Sequence, residues 1–164
     1  MDLTLRHWTE DDAADINAAV AESVEHLKPW MPWASAPPMT LDERKAWIRE
    51  MSGRQNEVFG TRLDGEIVGA CGFHRRVGPR ALEIGYWVHG DHVCRGIATE
   101  MVRRLTEMAF AREDIDHVEI HHDRANIASQ RVAIKAGFTH VLDRPEPRQG
   151  PADSGTERVW RLAR

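Results

Sequence analysis

Three groups of residues in this chain have types and spacings that can do chemistry. The first runs Val93-Cys94-Arg95-Gly96-Ile97-Ala98-Thr99 and opens a helical pattern from Glu100 to Phe110. Backbone N–H groups in the first turn of a helix lack intrahelical partners, and the helix dipole adds partial positive charge there. Gly96 and Ala98 carry little or no side chain, so a phosphate can come close to the backbone. The segment reads as a pyrophosphate cradle, with an ordinary strand–turn–helix corner as the plainer alternative. It is not one of the common phosphate loops, because neither G-x-x-x-x-G-K-[ST] nor G-x-G-x-x-G occurs anywhere in the chain.

The second group centres on Glu83, in the alternating apolar run Ala81 to Val88 that leads to the cradle. A carboxylate partly desolvated in a cleft can serve as a general base. The alternative is a solvated or ion-paired strand residue. The third group is Asn126 and Ser129. A serine hydroxyl, or a water held by the amide, can donate to a developing anion. Both residues also suit the capping of a helix start, and the two roles do not exclude each other.

Other candidates have plainer readings beside them. His117, Glu119 and His121 share one strand face, and His with carboxylate suits zinc. The same alternation describes a half-exposed strand with Val118 and Ile120 inside, so no metal is expected, and Glu119 or His121 stands as a reserve base. Trp30 and Trp33, on a proline-stiffened loop, suit stacking on a flat or apolar group, or they pack helices together. Tyr86, the only tyrosine, reads as structural.

These residues need a scaffold to position them. A length of 164 residues suits one domain, 1–164, with a proper core. A net charge of −4, from 22 Lys and Arg against 26 Asp and Glu, argues against nucleic acid as a partner. A polyanionic ligand then depends on local cations, with Arg95, Arg103 and Arg104 in place to help. No apolar run approaches the ~20 residues needed to span a bilayer, and the N-terminus has no signal-peptide pattern. Two cysteines are too few for a disulfide framework, so the expected setting is cytoplasmic.

Along the chain, Leu3 to Arg6 reads as a strand, and Thr9 with Asp12 starts a helix to about His26. Lys28 to Pro38 is a semi-rigid loop, and Thr40 with Glu43 opens a second helix ending near Gly53. Strands follow over Asn56 to Leu63, Glu66 to Arg75 and Ala81 to Val88, the first two joined at Asp64-Gly65. After the cradle helix comes a strand, His117 to His122, parallel to its predecessor. A short helix over Ala128 to Ala136 and strands at Thr139 to Leu142 and Thr156 to Leu162 complete the chain. A loop from Asp143 to Gly155 lies between the last two strands.

Taken in order, these segments resemble the GCN5-related N-acetyltransferases (GNAT), and within them the RimJ/RimL-like branch. Ile84-Gly85-Tyr86-Trp87 before the cradle and Ala98-Thr99-Glu100 after it resemble motif A. Asn126-Ile127-Ala128-Ser129 followed by Lys135-Ala136-Gly137-Phe138 resembles motif B, and Leu27-Lys28-Pro29-Trp30-Met31-Pro32-Trp33 is also typical. The resemblance implies an α/β (α+β) GNAT fold: a mixed, mostly antiparallel sheet of about six or seven strands, with about four helices and a splayed parallel strand pair.

It further implies an acetyl-CoA-dependent N-acetyltransferase acting by direct attack of a primary amine, on a small molecule or a peptide or protein N-terminus. A non-catalytic acyl-CoA-binding or sensing protein is the alternative. Trp87, Val88 and His89 would pair with the pantetheine arm, and Val93, Cys94, Arg95, Gly96, Ile97, Ala98 and Thr99 would hold the pyrophosphate. Asn126 and Ser129 would serve the cofactor's leaving group, and Trp30, Trp33 and Glu83 the acceptor. Two departures stand out. Val93 replaces the commoner Gln or Arg, and Ala133 stands where many relatives outside this branch carry a tyrosine. The expected oligomeric state is monomer or homodimer.

Overall fold

The computed structural model describes residues 1–53 and 57–164. Seven strands form one sheet in the order β1-β2-β3-β4-β5-β7-β6. They are β1 (Leu3–Arg6), β2 (Val58–Leu63), β3 (Glu66–His74), β4 (Ala81–Val88), β5 (His117–Asp123), β6 (Thr139–Pro145) and β7 (Thr156–Ala163). The helices are α1 (Ala13–Leu27), α2 (Leu41–Gly53), α3 (Ile97–Phe110) and α4 (Ile127–Lys135). This is the mixed, mostly antiparallel GNAT architecture expected from the sequence, with β4 and β5 as its parallel pair.

Local sequence explains the element ends. The Asp12 carboxylate accepts hydrogen bonds from the N–H and the hydroxyl of Thr9 at the entrance to α1. Thr40 and Glu43 form the reciprocal capping box that starts α2. Asp64 and Gly65, with φ of 52° and 87°, make the tight β2–β3 hairpin. The expected strand start at Asn56 lies outside the described residues. Most boundaries fall within a residue of expectation, and two features depart further. Strand β6 runs on to Pro145, because Asp143, Arg144 and Pro145 continue the ladder opposite Arg158, Glu157 and Thr156. The proline-rich loop contains a 3-10 turn, Pro32–Ser35.

The main core lies between the sheet and α3. Ile97, Met101, Val102, Leu105 and Ala109 form one buried stripe of that helix against Leu82 and Ile84 of β4 and Val118 and Ile120 of β5. Each large side chain so buried contributes roughly 1.5–3 kcal/mol through removal from water. The opposite face of the sheet is covered over β2 to β4 by α1 and α2, through Trp8, Ile16 and Ile48 packed with Ile67 and Ala70.

One feature of this sheet makes the site. Strands β4 and β5 pair only at Ala81, Leu82 and Glu83 with His117, Val118 and Glu119. Beyond that point β4 keeps β3 on one edge and β5 keeps β7, while the two inner edges separate. A strand edge without a partner presents unpaired N–H and C=O groups.

Candidate active site

The splay opens into one cleft of about 1050 Å³, which runs from the cradle to the tryptophan loop. At its first end, Gly96 is the N-cap of α3 with φ of 81°, and the first intrahelical bond of the turn is Glu100 N–H to the Gly96 carbonyl. The N–H groups of Ile97, Ala98 and Thr99 therefore precede the helical ladder. Ile97, Ala98 and Thr99 line the cleft, together with Val93, Cys94 and Gly96. Cys94 also takes a left-handed conformation, φ 60°, as an exposed non-glycine residue. Two consecutive tight turns thus present small residues and free N–H groups to one spot, an arrangement that fits a pyrophosphate.

The arginines expected to assist have divided roles. Arg104 is engaged by Glu100 and by the Leu3 carbonyl, and Arg103 donates to the Lys135 carbonyl. Arg95 contacts the His92 ring at 2.8 Å. The cations that do line the cleft include Arg131 and Lys135 of α4, which sequence reading did not single out. They are recognisable only once α4 is known to flank the gap.

Of the residues expected along the pantetheine, Trp87 and Val88 line the cleft at the free edge of β4. His89 is buried and its main chain is occupied: its N–H donates to Val68 and its carbonyl accepts from His92. Its ring accepts the Asp91 N–H at Nδ1 and faces Glu22 with Nε2.

Beside the gap, α4 begins at Asn126, whose side chain accepts the Ser129 N–H at 3.1 Å. The Ser129 hydroxyl lies 2.6 Å from the phenol of Tyr86, and both residues line the cleft. Burial pushes the Tyr86 phenol up to about 12, with the Ser129 hydrogen bond pulling the other way. Tyr86, read from sequence as structural, thus meets a candidate site residue directly. The only signal was alternation: Tyr86 shares the α3 face of β4 with Ile84 and Val88.

At the other end, Glu83 is 4% exposed, and its two oxygens accept from Arg76 at 2.6 and 2.8 Å. His74, opposite Glu83 in the register, leans over Gly85, and burial pulls its imidazole below the usual histidine range. On β5, His121 sits between Glu119 at 2.6 Å and Glu157 at 3.2 Å. Burial alone would raise the Glu119 carboxyl, but His121 and Arg161 outweigh it and hold it below the ordinary range. This is a satisfied ionic ladder, and among the described residues no group of His, Cys, Asp and Glu is arranged to hold a metal.

Two walls enclose this end. Trp33, 45% exposed, stands 6.1 Å from Trp87 at a tilt of 60°, with Trp30 beside it in the cleft wall. Facing them is the loop between β6 and β7. Asp153 accepts the N–H groups of Gln149 and Gly150, and Ala152 N–H donates to the Pro29 carbonyl at 3.1 Å. A side chain on Gly150 would fall 2.3 Å from that same carbonyl, so glycine permits the walls to meet.

The fold and cleft are those of an acyl-CoA-dependent acetyltransferase. The acetyltransferase (GNAT) domain family matches residues 2–139, and the chain belongs to that family. It is similar to Bacillus subtilis (strain 168) YdaF, which carries the name of a ribosomal N-acetyltransferase, at 26% identity over 142 residues covering 83% of this chain and 77% of the relative. Solved structures share the fold, two of them as follows. One is the microcin C7 self-immunity acetyltransferase MccE with acetyl-CoA and AMP, at TM-score 0.88 and 18% identity, covering 99% of this chain and 92% of that one. The other is RimL, the ribosomal L7/L12 alpha-N-protein acetyltransferase, with coenzyme A, at TM-score 0.86 and 19% identity, covering 98% and 93%. The protein is thus an acetyl-CoA-dependent N-acetyltransferase of the GNAT family.

Proposed function

We propose that this enzyme, as a single domain over 1–164, transfers acetyl directly from acetyl-CoA to a primary amine, with no covalent enzyme intermediate. The observation that carries this reading is the continuity of the cleft: cradle, free β4 edge, Ser129 and the tryptophan loop all line one space. Val93 to Thr99 hold the pyrophosphate, assisted by Arg131 and Lys135, and Trp87 and Val88 pair with the pantetheine arm. Asn126 fixes the first turn of α4, so that Ser129 faces the departing sulfur. Of the two cysteines, Cys71 is buried with its thiol pushed up to about 12, and Cys94 belongs to the cradle. Neither supports an acyl-cysteine route at the acceptor end.

The acceptor enters between Trp30, Trp33 and Glu83. A carboxylate as buried as Glu83 needs a cationic partner, and Arg76 fills that place in the free enzyme. An incoming ammonium replaces the guanidinium, and Glu83 then accepts its proton, the free amine attacking the carbonyl. The acceptor is a small amine or a peptide N-terminus, in keeping with relatives whose names point to ribosomal proteins. Free cysteines favour a reducing, cytoplasmic setting. No helix among the described residues is long and apolar enough to cross a membrane.

Calorimetric titration with acetyl-CoA, with ATP and NAD as controls, tests the cofactor end. Thiol release with a panel of primary amines and short peptides with free N-termini tests the acceptor end. Selective micromolar binding and release with at least one acceptor are expected. Absence of acetyl-CoA binding would overturn the reading.

A further inference from the structure

We propose that Tyr86 is a positioning residue for the leaving group: its phenol donates to Ser129 and leaves the Ser129 hydroxyl hydrogen to point into the cleft, at the departing sulfur. The inference rests on the transferase reading above.

The hydrogen count sets the direction. Each hydroxyl has one hydrogen to give and can accept in return. Tyr86 and Ser129 are 2.6 Å apart, and among the described residues neither side chain has another hydrogen-bond partner. If serine donated, the phenolic hydrogen would have no acceptor among the described residues, while the ring packs against the main core. If tyrosine donates, the stronger acid of the two is the donor and the serine hydrogen remains available. The second arrangement satisfies both groups when a sulfur occupies the cleft.

The placement is consistent with this role. Ser129 is held from two sides: its N–H by Asn126 within α4, and its hydroxyl by Tyr86 from β4. Tyr86 immediately precedes Trp87 and Val88 on the free edge of the splay. The pair therefore bridges the two elements that flank the gap. The helix position where many GNAT relatives carry a tyrosine is here Ala133, fully buried, so a hydroxyl cannot come from α4 at that point.

Acetyl transfer forms the C–N bond and breaks the C–S bond, with the electron pair leaving on sulfur. The ammonium proton has already gone to the base; the second proton, which nitrogen loses as the amide forms, passes to solvent, and the thiolate takes one from solvent. A thiol ionises near about 8.5, well below a phenol pushed up to about 12. Tyrosine and serine therefore keep their protons, and the pair acts by hydrogen bonding to charge as it develops on sulfur.

The test uses Tyr86→Phe, Ser129→Ala and the double variant in the full chain. Steady-state thiol release is measured with 2-phenylethylamine and with a free N-terminal pentapeptide. Tyr86→Phe should lower kcat by roughly 10- to 100-fold, with the KM for acetyl-CoA and the thermal midpoint unchanged. The double variant should be no slower than Ser129→Ala, because both changes break one device. A Tyr86→Phe enzyme with kcat within about twofold, or single effects that multiply in the double variant, would overturn the inference. If Tyr86→Phe lowers the thermal midpoint, Ser129→Thr decides: retained kcat supports the pair, and a threonine enzyme as slow as the alanine one overturns it. A wild-type enzyme that binds no acetyl-CoA, or binds it and acetylates neither probe, overturns the transferase reading itself and the inference with it.

Discussion

Arg76 covers both carboxylate oxygens of Glu83, at 2.6 and 2.8 Å, while its own side chain is 66% exposed and that of Glu83 only 5%. The buried partner is fixed and the exposed one can leave. On the proposed acceptor route, a cationic amine would compete with Arg76 for the same carboxylate. Arg76→Met should lower the KM for the acceptor and destabilise the protein by about 3 kcal/mol, because Glu83 is left buried and unpaired. Glu83→Gln should lower kcat/KM by about 100-fold or more, the usual range for loss of a general base. His121→Asn is the comparison, since His121 is already held between two carboxylates. It should keep kcat/KM within about twofold of wild type, whereas Glu83→Gln should not. The reverse result would transfer the base to the Glu119–His121 pair.

The cradle separates affinity from stability. Ala98 is the second residue of α3, where a carboxylate favours the helix dipole and opposes a bound anion. Ala98→Asp should weaken acetyl-CoA binding by at least about tenfold while leaving the thermal midpoint equal or higher. Calorimetry and differential scanning calorimetry together check it. Unchanged affinity would mean that the pyrophosphate lies elsewhere.

The contact between the two acceptor walls depends on Gly150, whose hypothetical Cβ would meet the Pro29 carbonyl. Gly150→Ala must separate the loop from Pro29 and break the Ala152 hydrogen bond. The KM for the acceptor should change severalfold, while acetyl-CoA affinity should hold, because neither Pro29 nor Gly150 belongs to the cradle. Equal loss at both ends would instead indicate general unfolding.

Asp12 gives the fold a defined acid sensitivity. Burial alone would raise its carboxyl, but Arg6, the Thr9 N–H and Arg62 outweigh burial and hold it well below the usual carboxylate range. With the folded value depressed, this stabilisation is fully present above the unfolded value of about 4 and disappears as pH falls through the folded value. Asp12→Asn should cost about 3 kcal/mol at pH 7. The difference from wild type should shrink as denaturation is measured below about pH 4.

Periodicity and turn chemistry made most of the scaffold legible. Thr40 with Glu43, Asp64 with Gly65 and the stripe through α3 each express a local rule, and each element appeared where that rule put it. The end of β6 was missed, because Pro145 reads as a breaker and its pairing with Thr156 is non-local. The same division applies to the site. Gly96 and Asn126 act through their own neighbours in sequence and could be read from it. Arg76 on Glu83, Tyr86 on Ser129 and Arg131 in the cleft wall depend on the splay and on which element lies across it. No spacing in the chain encodes those distances.

The hydrogen bond from Ala152 to Pro29 changes the topology of the acceptor side as well as its shape. Two facing walls make a trough, which a polymer can lie along. Walls tied together make an eyelet, which must be threaded by a free end. An amine at the tip of a small molecule or at the first residue of a peptide satisfies that geometry, and an amine flanked by bulky chain on both sides does not. With the acceptor entering as proposed, this one backbone contact would sort acceptors by connectivity.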